Sequence, residues 1–154
     1  LHNGDVEVVY ALSELRPLFA EISVIVHATE DPEKAVKALL NVIPEHLRQS
    51  MSLTRRYATG HYGNPIITIS TRMPDEQMAC ELLEYMLKGL NEFDRTEAQR
   101  ALLQEIDPDG YAYLRFDKQA AYLGFLRLRS DDPIRVKLRL GRTQWRSGSG
   151  EDLP

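Results

Sequence analysis

Ile134-Arg-Val-Lys-Leu-Arg-Leu140 alternates apolar and cationic residues at period two. A β-strand sends successive side chains to opposite faces. The stretch therefore predicts a strand that seats Ile134, Val136, Leu138 and Leu140 on a core. Arg135, Lys137 and Arg139 then stand in one row on the opposite face. Tyr111–Phe116 repeats the pattern, with Ala112, Leu114 and Phe116 alternating against Tyr111, Tyr113 and Arg115. Such a cationic row is the footprint expected of a phosphate-backbone binder.

Moving outward, the charge is unevenly divided. Residues 111–146 carry nine Lys/Arg against Asp117, Asp131 and Asp132, a local net of +6. Residues 1–110 carry ten Lys/Arg against eighteen Asp/Glu, a net of −8, and the last eight residues add −2. The whole-chain net of −4 thus conceals a basic C-terminal third beside an acidic remainder. A solvated, aggregation-resistant strand is the plain alternative for a charged row. The scarcity of local acids favours a nucleic-acid ligand instead.

The 154 residues, 43% hydrophobic and 27% charged, suit one soluble globular domain with a real core. We expect a domain over residues 20–146, an N-terminal extension of uncertain structure over 1–19, and a disordered Gly/Ser tail over 147–154. The single cysteine, Cys80, lies in an apolar helical pattern and reads as a small buried hydrophobe. No apolar run is long enough to cross a bilayer, and the first twenty residues lack a signal-peptide pattern. The expected compartment is cytoplasmic.

Residues 5–19 read two ways, as an alternating segment or as a short helix ending near Arg16-Pro17. Ile22–Val26 is β-branched and predicts a buried strand. Asp31-Pro32 supplies an N-cap and first-turn proline for a helix that Pro44 ends. Strands follow over about Ser52–Thr59 and Pro65–Met73, joined by Gly60-His-Tyr-Gly-Asn-Pro65. Helices cover the stretch after Pro74-Asp75 and about Arg95–Ile106. Asp107-Pro-Asp-Gly110 is a turn. A short turn or helix over Lys118–Leu123 and a strand near Phe125–Leu128 precede the final strand. This order argues for the α+β class, an antiparallel sheet with helices packed on one face. The basic row would occupy the other.

His27-Ala-Thr-Glu-Asp31, Gly60-His-Tyr-Gly-Asn-Pro65 and Asp117-Lys-Gln-Ala-Ala-Tyr-Leu-Gly124 fit none of these periodicities. Together with the basic final strand they resemble an archaeal family of predicted RNA-binding proteins, over roughly residues 20–141. That family is similar in fold to the ribosomal large-subunit protein L five (RL5-like), and some members are labelled predicted exosome subunits. The resemblance implies an RL5-like α+β fold and RNA binding without catalysis. It carries over no active site.

On this reading Arg127, Arg129, Arg135, Lys137 and Arg139 attract phosphates of a structured or ribosomal-type RNA. Arg115, Lys118, Gln119, His61 and Tyr62 supply local recognition. Arg55-Arg56 extends the patch if the strands neighbour one another. No cofactor is needed, and the acidic remainder could face a protein partner such as an RNA-processing complex. His27, Glu30, Asp31 and His61 would instead serve a metal-dependent nuclease if their donors converged. A protein–protein module meeting an acidic partner is the third reading. Trp145, beside Arg142 and Arg146, is either a packing anchor or a stacking group.

Overall fold

The computed structural model describes residues 15–142. The tail over 147–154, Trp145, Arg146 and the first fourteen residues lie outside them. Ten elements follow in the order β1 (Leu15–Val26), α1 (Pro32–Asn41), α2 (Glu45–Arg48), β2 (Thr54–Thr59) and β3 (Pro65–Met73). Then come α3 (Glu76–Gly89), α4 (Glu92–Gln104), β4 (Tyr111–Phe116), α5 (Lys118–Tyr122) and β5 (Ile134–Arg142). The strands form one five-stranded sheet, β2-β3-β1-β5-β4, antiparallel at every junction. The α+β class is thus the observed one.

Alternation along each strand decides which face meets the helices. Ala20, Ile22, Val24 and Val26 of β1, Ile69, Thr71 and Met73 of β3, and Ile134, Val136, Leu138 and Leu140 of β5 are buried. Ala112, Leu114 and Phe116 of β4 complete that inner face. Leu39, Leu82, Met86, Ala98 and Leu102 pack against it from the helices. The opposite face carries no helix among the described residues.

Local chemistry sets the helix starts. Asp31 accepts from the Glu33 N–H and Pro32 begins α1, as its sequence predicts. Asn91 caps α4 by accepting from Asp94 N–H, which moves that helix a few residues ahead of the expected Arg95. Asp117 caps α5 through Ala120 N–H.

Three expectations change. Leu15–Phe19 belongs to β1, so the described part of the ambiguous segment is strand and the helical alternative fails there. Pro17 is tolerated because β3 pairs with β1 only from Ala20 onward, and a register shift against β5 falls between Pro17 and Phe19. The strand expected near Phe125–Leu128 is a single bridge, Phe116 to Leu128, beside β4. Finally, Pro44 does not end helical structure outright, since the one-turn α2 follows it.

Candidate nucleic-acid interface

Strand registry lays the helix-free face out in rows. Phe19, Arg139 and Tyr111 form one, and Arg72, Glu21, Lys137 and Tyr113 the next. Thr54, Ser70, Ser23, Arg135 and Arg115 form a third, with Arg56, Thr68 and Ile25 beyond them. Among the described residues, six cations therefore share a surface with one acid, Glu21.

Five of these six cations differ from most others among the described residues in lacking a carboxylate partner; Lys34 and Lys37 of α1 lack one too and lie over the Tyr122 ring. Arg16, Arg55, Lys88, Arg100, Lys118, Arg127 and Arg129 all pair with carboxylates. Arg48 and Arg95 donate to backbone carbonyls. Among the described residues, no carboxylate pairs with Arg56, Arg115, Arg135, Lys137 or Arg139, and all five occupy the helix-free face. Unpaired like charges held together raise the local potential, which a polyanion relieves.

Two tyrosines hold four of these cations. Lys137 Nζ lies 4.3 Å from the Tyr111 ring centroid and the Arg139 guanidinium carbon 5.4 Å. Arg135 and Arg115 approach Tyr113 at 5.3 and 5.5 Å. Arg115 and Arg135 also stand directly opposite across the β4–β5 ladder, a repulsive arrangement. The shared ring offsets the repulsion by cation–π attraction. The rings are thus engaged as supports for cations.

The remaining predicted residues divide by location. Arg56 lies on the same face as the row, but β3 and β1 separate β2 from β5. Arg55 points to the helix side and binds Glu33 at 3.0 Å, so it does not extend the patch. Arg127 and Arg129 flank the Leu128 bridge and converge on Asp117 at 2.8 and 4.0 Å. Burial pushes the Asp117 carboxyl up, but Arg127, the Ala120 N–H and Arg129 outweigh it and hold the group below the usual range. His61 and Tyr62 are exposed on the β2–β3 hairpin, ring against ring edge at 4.7 Å, where Gly63 takes φ 82°. Gln119 lines the groove between α1 and α5 with Lys34 and Tyr122, away from the cationic face.

Lys118 has the opposite character from the free row. Its Nζ donates to the Ile25 carbonyl at 2.7 Å, to both Glu30 oxygens at 3.1 and 3.2 Å, and to Asp132 at 3.0 Å. Only 15% of its side chain is exposed. His27 Nε2 reaches the other Asp132 oxygen at 3.0 Å, and the His27 N–H donates to Glu30. His27, Glu30 and Asp132 place ligand atoms within 4.8 Å of one another. The lysine ammonium already supplies the cation between the two carboxylates. Asp31 is committed to its cap, while His61 faces His27 across a shallow cavity. The carboxylate that joins His27 and Glu30 is therefore Asp132, 105 residues from His27, in place of the expected Asp31. Its backbone sits at φ 47°, a conformation Asp tolerates better than most residues. Burial raises its carboxyl, yet His27 and Lys118 lower it further, for a net depression.

Taken together, fold and surface define an open-faced α+β sheet protein with a helix-backed core and one cationic face. Residues 20–140 match the family described as RNA binding. The chain is 31% identical over 121 residues to an RNA-binding protein of Pyrococcus abyssi, covering 77% of this chain and 79% of that one. It belongs to this RNA-binding family. An uncharacterized protein of Methanocaldococcus jannaschii is 32% identical over 117 residues, 74% of this chain and 77% of its own. Among solved structures, a protein of Archaeoglobus fulgidus superposes with TM-score 0.68 at 31% identity, covering 80% of this chain and 86% of that one. A DUF54 protein of Methanothermobacter thermautotrophicus gives 0.66 at 28%, covering 90% and 96%.

Proposed function

We propose that this chain is a non-catalytic RNA-binding protein that holds structured RNA against its helix-free sheet face. The observation that carries the reading is the gathering of Arg56, Arg115, Arg135, Lys137 and Arg139 on that face without acidic partners among the described residues. Membership in a family described as RNA binding supplies the ligand class. Because Tyr111 and Tyr113 already support cations, the face suits the sugar–phosphate backbone of helical RNA more than stacking with splayed bases. Arg127 and Arg129 extend the positive field at the β4 edge, and His61 and Tyr62 offer a flanking contact from the hairpin. Tyr62, 87% exposed, is the hairpin ring open to stack on an unpaired base.

The finer reading follows the resemblance to RL5-like proteins, with ribosomal-type RNA as ligand and a role in RNA processing or ribosome-related assembly. The acidic excess of residues 1–110 would face a protein partner such as an RNA-processing complex. A nuclease built on His27, Glu30 and Asp132 would first have to displace Lys118.

The test is fluorescence anisotropy with a labelled stem-loop RNA across a salt series, comparing wild type with Arg135→Ala/Lys137→Ala/Arg139→Ala. The slope of log affinity against log salt should drop by about two to three units, at ~0.7–0.9 per lost phosphate contact. An unchanged slope would place RNA elsewhere, and cleavage that depends on added Mg²⁺ or Mn²⁺ would favour the enzyme.

A further inference from the structure

Glu21 is the anomaly of the cationic face. A carboxylate repels phosphate, yet this one stands in the second row between Arg72 and Lys137. It does not neutralise Lys137, whose Nζ turns to Tyr111 instead. Among the described residues its partner is Arg72, with Nε at 3.4 Å, the weak end of hydrogen-bond geometry. An ionised carboxylate offers about four acceptor positions, so most of its capacity is open. The side chain is only 22% exposed, which fixes it in place.

The surroundings show what it is set to meet. Glu21 lines a cavity of about 600 Å³ with Thr54, Arg56, Ser70 and Arg72. Beside Met51 and Met78, two guanidinium groups for anions and several hydroxyls that both donate and accept surround one pure acceptor. Nucleic-acid backbones alternate an acceptor-only phosphate with a sugar, and only ribose carries a hydroxyl donor at the 2′ position. The 2′-OH is the group by which a protein distinguishes RNA from DNA.

Building on the RNA reading above, we propose that this cavity is a ribose–phosphate subsite. Glu21 accepts a hydrogen bond from a ribose 2′-OH, while Arg56 and Arg72 take the adjoining phosphates. Glu21 is then a specificity-determining residue: it costs affinity for every polyanion through repulsion and returns it only for RNA. Thr54 and Ser70 give the sugar edge further polar contacts.

The experiment measures anisotropy of three labelled stem-loops of one sequence, in RNA, DNA and 2′-O-methyl RNA, at a fixed salt concentration. The 2′-O-methyl probe keeps the RNA helix form but removes the donor. Wild type should bind RNA roughly tenfold or more tighter than the other two, the scale of one hydrogen bond to a charged group. Glu21→Ala should bind DNA as well as wild type does or better and lose the RNA preference, while Glu21→Gln, retaining an acceptor, keeps part of it. If Glu21→Ala tightens RNA and DNA equally with their ratio intact, Glu21 only balances charge and the subsite is overturned. The wild-type comparison of RNA with 2′-O-methyl RNA stands even if a variant misfolds, and equal binding there also overturns it. Wild-type chain that binds neither RNA nor DNA would overturn the RNA reading itself, a separable result.

Discussion

Replacing Arg135 by Gln separates a ligand-directed cation from a structural one. In the fold, Arg135 opposes Arg115 across the β4–β5 ladder and shares the Tyr113 ring with it. Relief of a like-charge cross-strand pair gains about 0.2–1 kcal/mol. Loss of one exposed cation–π contact costs about 0.5–1 kcal/mol. The two nearly cancel, so the unfolding free energy should move by no more than about 0.8 kcal/mol either way. RNA binding has no such compensation. One lost phosphate contact lowers the salt slope by ~0.7–0.9, which makes the variant's affinity deficit about threefold larger at ~50 mM than at ~200 mM salt. Urea unfolding followed by tryptophan-independent circular dichroism gives the first quantity, and anisotropy with a labelled stem-loop gives the second. A stability loss above about 2 kcal/mol would show that Arg135 is held by packing and that its charge was misassigned. Intact stability with an unchanged slope would remove it from the phosphate contacts.

Asp117→Asn keeps a capping side chain but loses the charge that holds Arg127 and Arg129. Both arginines are more than half exposed, so the cost at neutral pH should be only about 1 kcal/mol. Because the folded carboxyl titrates below its unfolded value, its contribution is full above the unfolded value and disappears as pH falls through the folded one. The wild-type advantage over Asp117→Asn, read from urea midpoints, should therefore be constant from pH 7 to about 5 and vanish on further acidification; an advantage that persists in strong acid would contradict the ion pairs. Lys118→Ala leaves Glu30 and Asp132 facing each other and should cost about 1–3 kcal/mol. It also vacates the cation position, so Zn²⁺ or Mn²⁺ should raise the melting temperature of Lys118→Ala and leave wild type unmoved. A metal-induced rise in wild type would mean that the ion displaces the lysine.

The parts of this molecule legible in its sequence are those written in local period. Ile134–Leu140 and Tyr111–Phe116 alternate because each strand has one face in the core and one in water, and the structure puts both outward rows on the same surface. Pro17 hid the first half of β1, because proline ordinarily argues against a central strand. Here its missing N–H lies where β3 has not yet joined, a fact about the neighbouring strand. The same limit explains the site. Alternation placed cations in a row, but their lack of acidic partners depends on Glu33 taking Arg55 and Asp117 taking Arg127. Lys118 looked like a phosphate ligand beside a strand end. It is instead the internal counterion of Glu30 and Asp132, acids 88 and 14 residues away.

Which positive charges are available to a ligand is therefore a tertiary property, decided by subtraction. The acidic residues of the chain remove Arg55, Lys118 and, in part, Arg127 and Arg129 from the pool that sequence counts. Apart from Lys34 and Lys37, which lie over Tyr122 on the helical side, those left over among the described residues lie on the face without helices, four of them against the rings of Tyr111 and Tyr113. Composition overstates the number of binding cations and understates their organisation. For this chain, the unpaired cations with the single spare acceptor among them describe a more selective ligand than net charge does. On the ribose–phosphate proposal, Glu21 is the residue that makes this face choose among polyanions.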